Sequence, residues 1–144
     1  MDYLPVFVAT RHQHIIVVGD GQMAEAKCRG ALKSAARVSL FAEQPTDAMR
    51  EWQARDQVHL MTRPVAPPDF MGARLVYAAS DDDAYNEQVA TWARTAGAWV
   101  NVLDCPEQCD FITPAIVDRD PVVVAIGTEG TRSEEHTSEL QSPC

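Results

Sequence analysis

The 144-residue chain is short of positive charge, of cysteine and of long apolar runs. Its 12 lysines and arginines face 21 aspartates and glutamates, a formal net charge of −9. A surface so balanced repels phosphate backbones and anionic headgroups, so neither nucleic acid nor a membrane surface is an expected partner. No apolar stretch approaches the ~20 residues that span a bilayer. The opening Met1-Asp2-Tyr3-Leu4-Pro5 has neither the basic patch nor the apolar core of a secretory signal. A cytoplasmic location is the expectation. Setting Cys144 aside for the reason given next leaves Cys28, Cys105 and Cys109, an odd number that argues against a disulfide framework. Cys28 falls on a helix-forming segment and is expected to be packed.

Residues 132–144 are polar, lack periodicity and follow an apolar run abruptly. They resemble the translation of a DNA-sequencing adapter and are read as a non-native tail. Without Arg132, Glu134, Glu135 and Glu139 the net charge is −7. The natural sequence is expected to part from this one near Thr131 and to continue further.

What remains is long enough for one domain with a real core. Its clearest feature is the run from His14 to Ala24. The β-branched Ile15-Ile16-Val17-Val18 reads as a buried parallel strand. It breaks at Gly19-Asp20-Gly21-Gln22-Met23-Ala24, a Gly-x-Gly-x-x-Ala turn, and a helix-forming segment from Ala24 to Ala35 follows. This is the dinucleotide-binding fingerprint in its strand–turn–helix setting. Gly19 allows the tight turn, Gly21 lets a pyrophosphate reach the backbone, and Ala24 lets helix and strand pack closely. The helix N-terminus then offers N–H groups and partial positive charge. A second strand, Arg37 to Ala42, ends at Glu43, about 20 residues beyond the glycines, where a carboxylate accepts from a ribose 2′-hydroxyl. An acid there repels the 2′-phosphate of NADP, so NAD is the expected cofactor.

Strand and helix signals continue to alternate. A helix is expected over residues 48–54, a strand over 58–61, a proline-rich loop over 63–68 and a strand over 73–79. A helix opened by Ser80-Asp81-Asp82-Asp83 runs to about Ala96, and a strand over 98–103 ends at Asp104. That order predicts a Rossmann-like α/β fold, a doubly wound parallel sheet with helices on both faces. Gly19, Glu43, Ser80 and Asp104 then gather on the rim at the carboxyl ends of the strands. The three aspartates read as helix caps before metal ligands, and Asn86 as cap or ligand. Asp104 is either a turn residue or a carboxylate able to act as base or bind a cation. Cys105 and Cys109 lack the spacing of a zinc site. His12 and His14 lie at the opposite end of the first strand and read as surface residues. Residues 111–117 and 121–126 flank a short polar turn and predict a β-hairpin, whose bare edges call for a second subunit or further chain.

These pieces together resemble the N-terminal module of the siroheme synthase family and its single-module relatives, the precorrin-2 dehydrogenase/sirohydrochlorin ferrochelatases. The matching residues are Met1-Asp2-Tyr3-Leu4-Pro5-Val6-Phe7, Val17-Val18-Gly19-Asp20-Gly21 with Ala24-Glu25 and Lys27, and Ala78 to Asp83 with Asn86. Asn101-Val102-Leu103-Asp104, Phe111 to Arg119 and Val124 to Thr131 complete them. The resemblance implies a two-part chain, an NAD-binding Rossmann domain over 1–113 and the start of a dimerisation and substrate region over 114–131. It implies oxidation of precorrin-2 to sirohydrochlorin with NAD as hydride acceptor, then insertion of ferrous iron, itself a substrate, to give siroheme. The family's catalytic aspartate falls on Asp104, as base and as a transient guide for the iron. Its cofactor contacts fall on Gln22 and Met23 after the glycine turn, and on Glu43 and Gln44 after the second strand. The implied partners are a tetrapyrrole and a second copy of the chain, with Arg11 and Arg119 as candidate carboxylate partners. Asp20 departs from the family's glycine, and so does Glu129. A rival reading is an NAD-sensing regulatory domain of potassium-transport systems, which shares the glycine turn and the acid after the second strand. A generic small-molecule dehydrogenase finds no catalytic Lys/His or Ser-Tyr-Lys arrangement here.

Overall fold

The computed structural model describes residues 1–128; Glu129, Thr131 and the expected tail over 132–144 lie outside the described residues. Strands β1 (His14–Val18), β2 (Arg37–Phe41), β3 (His59–Met61), β4 (Leu75–Ala78) and β5 (Trp99–Val102) form one sheet. Helices α1 (Gln22–Ala31), α2 (Asp47–Ala54) and α3 (Asp83–Thr95) connect them. The order is β3-β2-β1-β4-β5 and every pairing is parallel. This is the expected Rossmann-like, doubly wound α/β sheet.

Alternation along β1 assigns the two faces. Ile15 and Val17 join Ala24, Cys28 and Met49 in the layer under α1 and α2. Ile16 and Val18 join Val89, Ala90 and Ala93 of α3, together with Phe70. Each central strand is therefore buried on both sides, which is why it reads as a continuous apolar run. Between β1 and β4 the winding reverses, and connections leave in opposite directions. That opens a crevice at the carboxyl ends of these two strands.

Several boundaries differ from expectation, each for a local reason. Helix α1 spans Gln22–Ala31 rather than reaching Ala35. Ser34 ends it, its hydroxyl donating to the Ala31 carbonyl at 2.7 Å and accepting from Ala36 N–H at 3.2 Å. The proline-rich loop winds into a short 3-10 helix at Pro67–Phe70, which buries Phe70. Another 3-10 turn, Pro106–Gln108, follows Asp104. His14 is half-buried, its Nε2 2.7 Å from Ser39 Oγ, and not the plain surface residue expected.

The hairpin forms as expected, with β6 (Ala115–Arg119) antiparallel to β7 (Val122–Ile126). It starts four residues later than the apolar run because Phe111 is tied to the large sheet instead. Its carbonyl accepts from Asn101 Nδ2 at 3.0 Å, and its ring meets Tyr77 edge-on at 5.4 Å. No helix among the described residues is long and apolar enough to cross a membrane.

Candidate functional site

The glycine turn is held by geometry that only glycine fits. Gly19 has φ +147°, and a Cβ there would lie 2.4 Å from the Ala79 carbonyl oxygen. Its N–H donates to the Phe41 carbonyl at 2.9 Å, so the turn crosses β1 between β2 and β4. Gly21 has an ordinary extended φ of −98° and is the N-cap of α1. A Cβ there would meet only the Asp81 carboxylate, at 3.5 Å. Its side-chain-free surface thus keeps space open above the helix rather than relieving a clash within the chain.

Helix capping separates α1 from the other two helices. Thr46 caps α2 by accepting from Met49 N–H. Asp82 caps α3 by accepting from Ala84 and Tyr85 N–H, the capping role expected of this acidic run. No side chain caps α1. The N–H groups at its start, on exposed Gln22 and Met23 and on buried Ala24, carry the helix's partial positive charge at the crevice. Ala24 is fully buried, so it acts by letting α1 pack on β1.

The rim loop after β4 is fixed from below. Asn86 is buried in α3; its Oδ1 accepts from Ser80 N–H and its Nδ2 donates to the Ser80 carbonyl, both at 2.9 Å. The Ser80 hydroxyl in turn donates to the Asp82 carbonyl and accepts from Asp82 N–H, both at 3.1 Å. Asn86 is thus the support of the loop. Asp20 turns toward the second rim loop, and its Oδ2 accepts from Gln44 N–H at 3.2 Å. That contact directs the carboxylate away from the α1 N-terminus and ties the glycine turn to the loop bearing Glu43.

A cleft of about 430 Å³ lies between these loops. It brings together Gly19, Glu43 and Ser80 of the expected residues, and adds Phe41, Arg63 and Tyr85, which sequence reasoning missed. Gly21, Gln22, Met23, Ala24, Gln44 and Asp104 lie outside its walls. Burial pushes the Tyr85 phenol up; the Val65 N–H it accepts at 3.0 Å opposes this, while Glu43 and Asp69 add to the rise. The cleft is lined by the Gly19 backbone, beside which the uncapped start of α1 lies, and by the acidic Asp20, Glu43, Asp81 and Asp82, of which Asp20 is turned to Gln44 N–H and Asp82 caps α3. That donor set fits the pyrophosphate and ribose of a dinucleotide.

Asp104 stands on the same rim, one strand away. Leu103 N–H donates to the Ala78 carbonyl at 2.9 Å, so Asp104 begins where the β4–β5 ladder ends. It is exposed and has φ +58°, a left-handed conformation that costs a non-glycine residue about 1 kcal/mol or more. The chain after it returns along the free edge of β5. Asp110 Oδ2 accepts from Val100 N–H at 2.9 Å, and Cys109 Sγ accepts from Val102 N–H at 3.1 Å. Arg94 holds Asp110 at 3.1 Å. Cys109 is thereby engaged with backbone, and burial pushes its thiol up. Among the described residues no group of three His, Cys, Asp or Glu could hold a metal.

Known proteins resemble this chain over most of its length. A family model described as putative NAD(P)-binding matches residues 6–115. The siroheme synthase of Methylococcus capsulatus is 44% identical over 90% of this chain and 27% of its own length. That of Nitrosococcus oceani is 38% identical over 90% of this chain and 28% of its own. The chain therefore spans little more than a quarter of these relatives. Among solved structures, SirC, a precorrin-2 dehydrogenase, superposes with a TM-score of 0.76 at 22% identity, over 97% of this chain and 72% of that one. At that identity the likeness establishes the fold.

Proposed function

We propose that this chain, which belongs to the putative NAD(P)-binding family, is the dehydrogenase portion of a siroheme-forming enzyme that oxidises precorrin-2 to sirohydrochlorin. The observation that carries the reading is the pairing of two features on one rim. One is the Gly19 turn beside an uncapped α1, facing Glu43; the other is a strained, exposed aspartate at the end of β5. The similarity to siroheme synthases supplies the substrate class.

NAD, when bound, supplies the hydride acceptor. The backbone of Gly19, Gly21, Gln22 and Met23 holds its pyrophosphate, with Ala24 setting the helix position. Glu43 and Gln44 receive the adenosine ribose, and Ser80 lines the path toward β5. Asp104 faces the substrate and accepts the proton lost from the tetrapyrrole carbon framework as hydride departs. A carboxylate so placed can afterwards take protons from the pyrrole nitrogens and guide ferrous iron, the substrate of a second, chelatase step. Residues 1–113 act as the nucleotide-binding unit and 114–131 as the start of a dimerisation and substrate region, with Arg11 and Arg119 offered to substrate carboxylates. A second copy completes the tetrapyrrole cleft, and the cytoplasm is the proposed compartment.

The test is anaerobic incubation of the purified protein with precorrin-2 and NAD, following NADH and sirohydrochlorin absorbance. Stoichiometric appearance of both is expected. Asp104→Asn should leave NAD affinity within twofold and lower the oxidation rate about 10²-fold or more, the scale of a lost general base. Unchanged turnover in that variant would reduce Asp104 to a turn residue. NAD binding by the parent protein without turnover would instead make the domain a nucleotide sensor.

A further inference from the structure

The cleft contains a charged pair that the glycine fingerprint does not announce. β2 and β3 pair with Phe41 opposite Met61, and Ala42 N–H extends the ladder to the Met61 carbonyl at 2.9 Å. Continuing that register sets Arg63 beside Glu43, at the point where an adenosine ribose presents its 2′ position. Both residues line the cleft. A cation so placed would ordinarily invite a 2′-phosphate. Arg63, however, is already held through its guanidinium by another acid. Its Nη1 and Nη2 donate to both oxygens of Asp69 at 2.9 and 2.8 Å, and its guanidinium lies 5.3 Å from the centre of the Phe41 ring. Asp69 is itself anchored, accepting from Ala66 N–H at 2.7 Å at the start of the 3-10 helix. Glu43 has no cationic partner among the described residues.

We propose that Asp69 is a coenzyme-selecting residue: by clamping Arg63 against Phe41 it withholds the one guanidinium that, among the described residues, lines the cleft with Glu43 from a 2′-phosphate, and so makes the cleft selective for NAD over NADP. The proposal rests on the dinucleotide reading given above. A forked, two-bond pair anchored to backbone is among the stronger surface ion-pair geometries. Half of the Arg63 side chain remains exposed, at 53%. The guanidinium can therefore swing to the cleft once the fork is broken.

The experiment measures dissociation constants for NAD and NADP by calorimetry on the parent chain and three variants. Asp69→Asn keeps an oxygen for Ala66 N–H but removes the charge that holds Arg63. The ratio of NADP to NAD affinity should rise about tenfold. Arg63→Ala/Asp69→Asn should cancel that rise. Arg63→Lys keeps the charge but cannot make the fork. It should raise the ratio severalfold, and it carries the test if Asp69→Asn does not fold. An unchanged ratio in the folded single variants, or a rise that survives removal of Arg63, overturns the proposal. Failure of the parent chain to bind either coenzyme overturns the dinucleotide reading and this inference with it, whereas tight NAD binding with unmoved ratios overturns the inference alone.

Discussion

Gly19 and Asp104 are both at positive φ, yet only one was legible as a conformational position. Gly19 is recognisable because glycine in a Gly-x-Gly-x-x-Ala turn is where a left-handed or close-approach backbone is expected. The structure sharpens the reason, since a Cβ would stand 2.4 Å from the Ala79 carbonyl oxygen, which is backbone immediately after β4 and cannot yield cheaply. Gly19→Ala should therefore cost about 2–5 kcal/mol, combining the overpacking and backbone strain terms. Urea unfolding followed by circular dichroism reads this directly, and a loss under ~0.5 kcal/mol would mean that the rim relaxes freely. Asp104, φ +58°, was legible as a rim residue but not as a strained one. Nothing in Asn-Val-Leu-Asp-Cys-Pro specifies the left-handed turn. It arises because the following segment must double back along β5 to place Asp110 against Val100 N–H. Arg63 was missed for a similar reason. It lies in a proline-rich loop, and only the β2–β3 register brings it beside Glu43.

At the scale of elements, every helix and strand expected from periodicity is present, and the differences sit at ends. Ends are decided by single hydrogen bonds, such as the Ser34 hydroxyl that stops α1, and these leave no periodic signal. The amino ends of β1, β2 and β3 carry a second such feature. They place His14, Arg37 and His59 together on the face that α3 leaves uncovered, with Ser39, Arg63 and Asp69 around the same groove. Burial, first, and then the charge of Arg37 and of His59 hold the His14 imidazole below its ordinary 6.5. The unfolded chain takes up that proton near pH 6.5 and the folded chain only at lower pH. His14 thus contributes stability that is present above about pH 6.5 and is lost as pH falls through its lowered folded value. The free energy of unfolding should decline as pH falls below about 6.5 in the parent protein, and His14→Gln, which can still bond Ser39, should flatten that decline. Equal slopes in both would show that His14 is not the group responsible. Asp69, held below the ordinary carboxylate range by Arg63 and aided by Ala66 N–H against its partial burial, loses its contribution only at more acid pH, so the two effects separate.

For the molecule as a whole, the sheet is self-sufficient and the hairpin is not. The central strands are buried on both faces, whereas every residue of β6 and β7 is exposed. A two-stranded hairpin is marginal in water without something packed on it. The pairing of Val117 with Val124, Ala115 with Ile126 and Arg119 with Val122 puts Val117, Val122, Val124 and Ile126 on one face. Leu4 and Phe7 near the other end of the chain are likewise 74% and 73% exposed. Apolar surface of this kind on a chain of net charge −9 marks an interface rather than a solvated face. The sequence disclosed the hairpin and its bare edges, because alternation and the intervening polar turn are local. It could not disclose what covers them, because no local pattern specifies a partner surface. The expected cover is a second copy packing hairpin on hairpin. Sedimentation velocity at tens of micromolar should then show a dimer, and Val122→Lys/Val124→Lys should shift it to monomer. NAD affinity should stay within twofold, since Gly19, Glu43 and α1 belong entirely to the large sheet. A parent protein that stays monomeric at that concentration would remove the second copy as the occupant of this face. A double variant that still dimerises would move the contact elsewhere, to the exposed segment around Leu4 and Phe7.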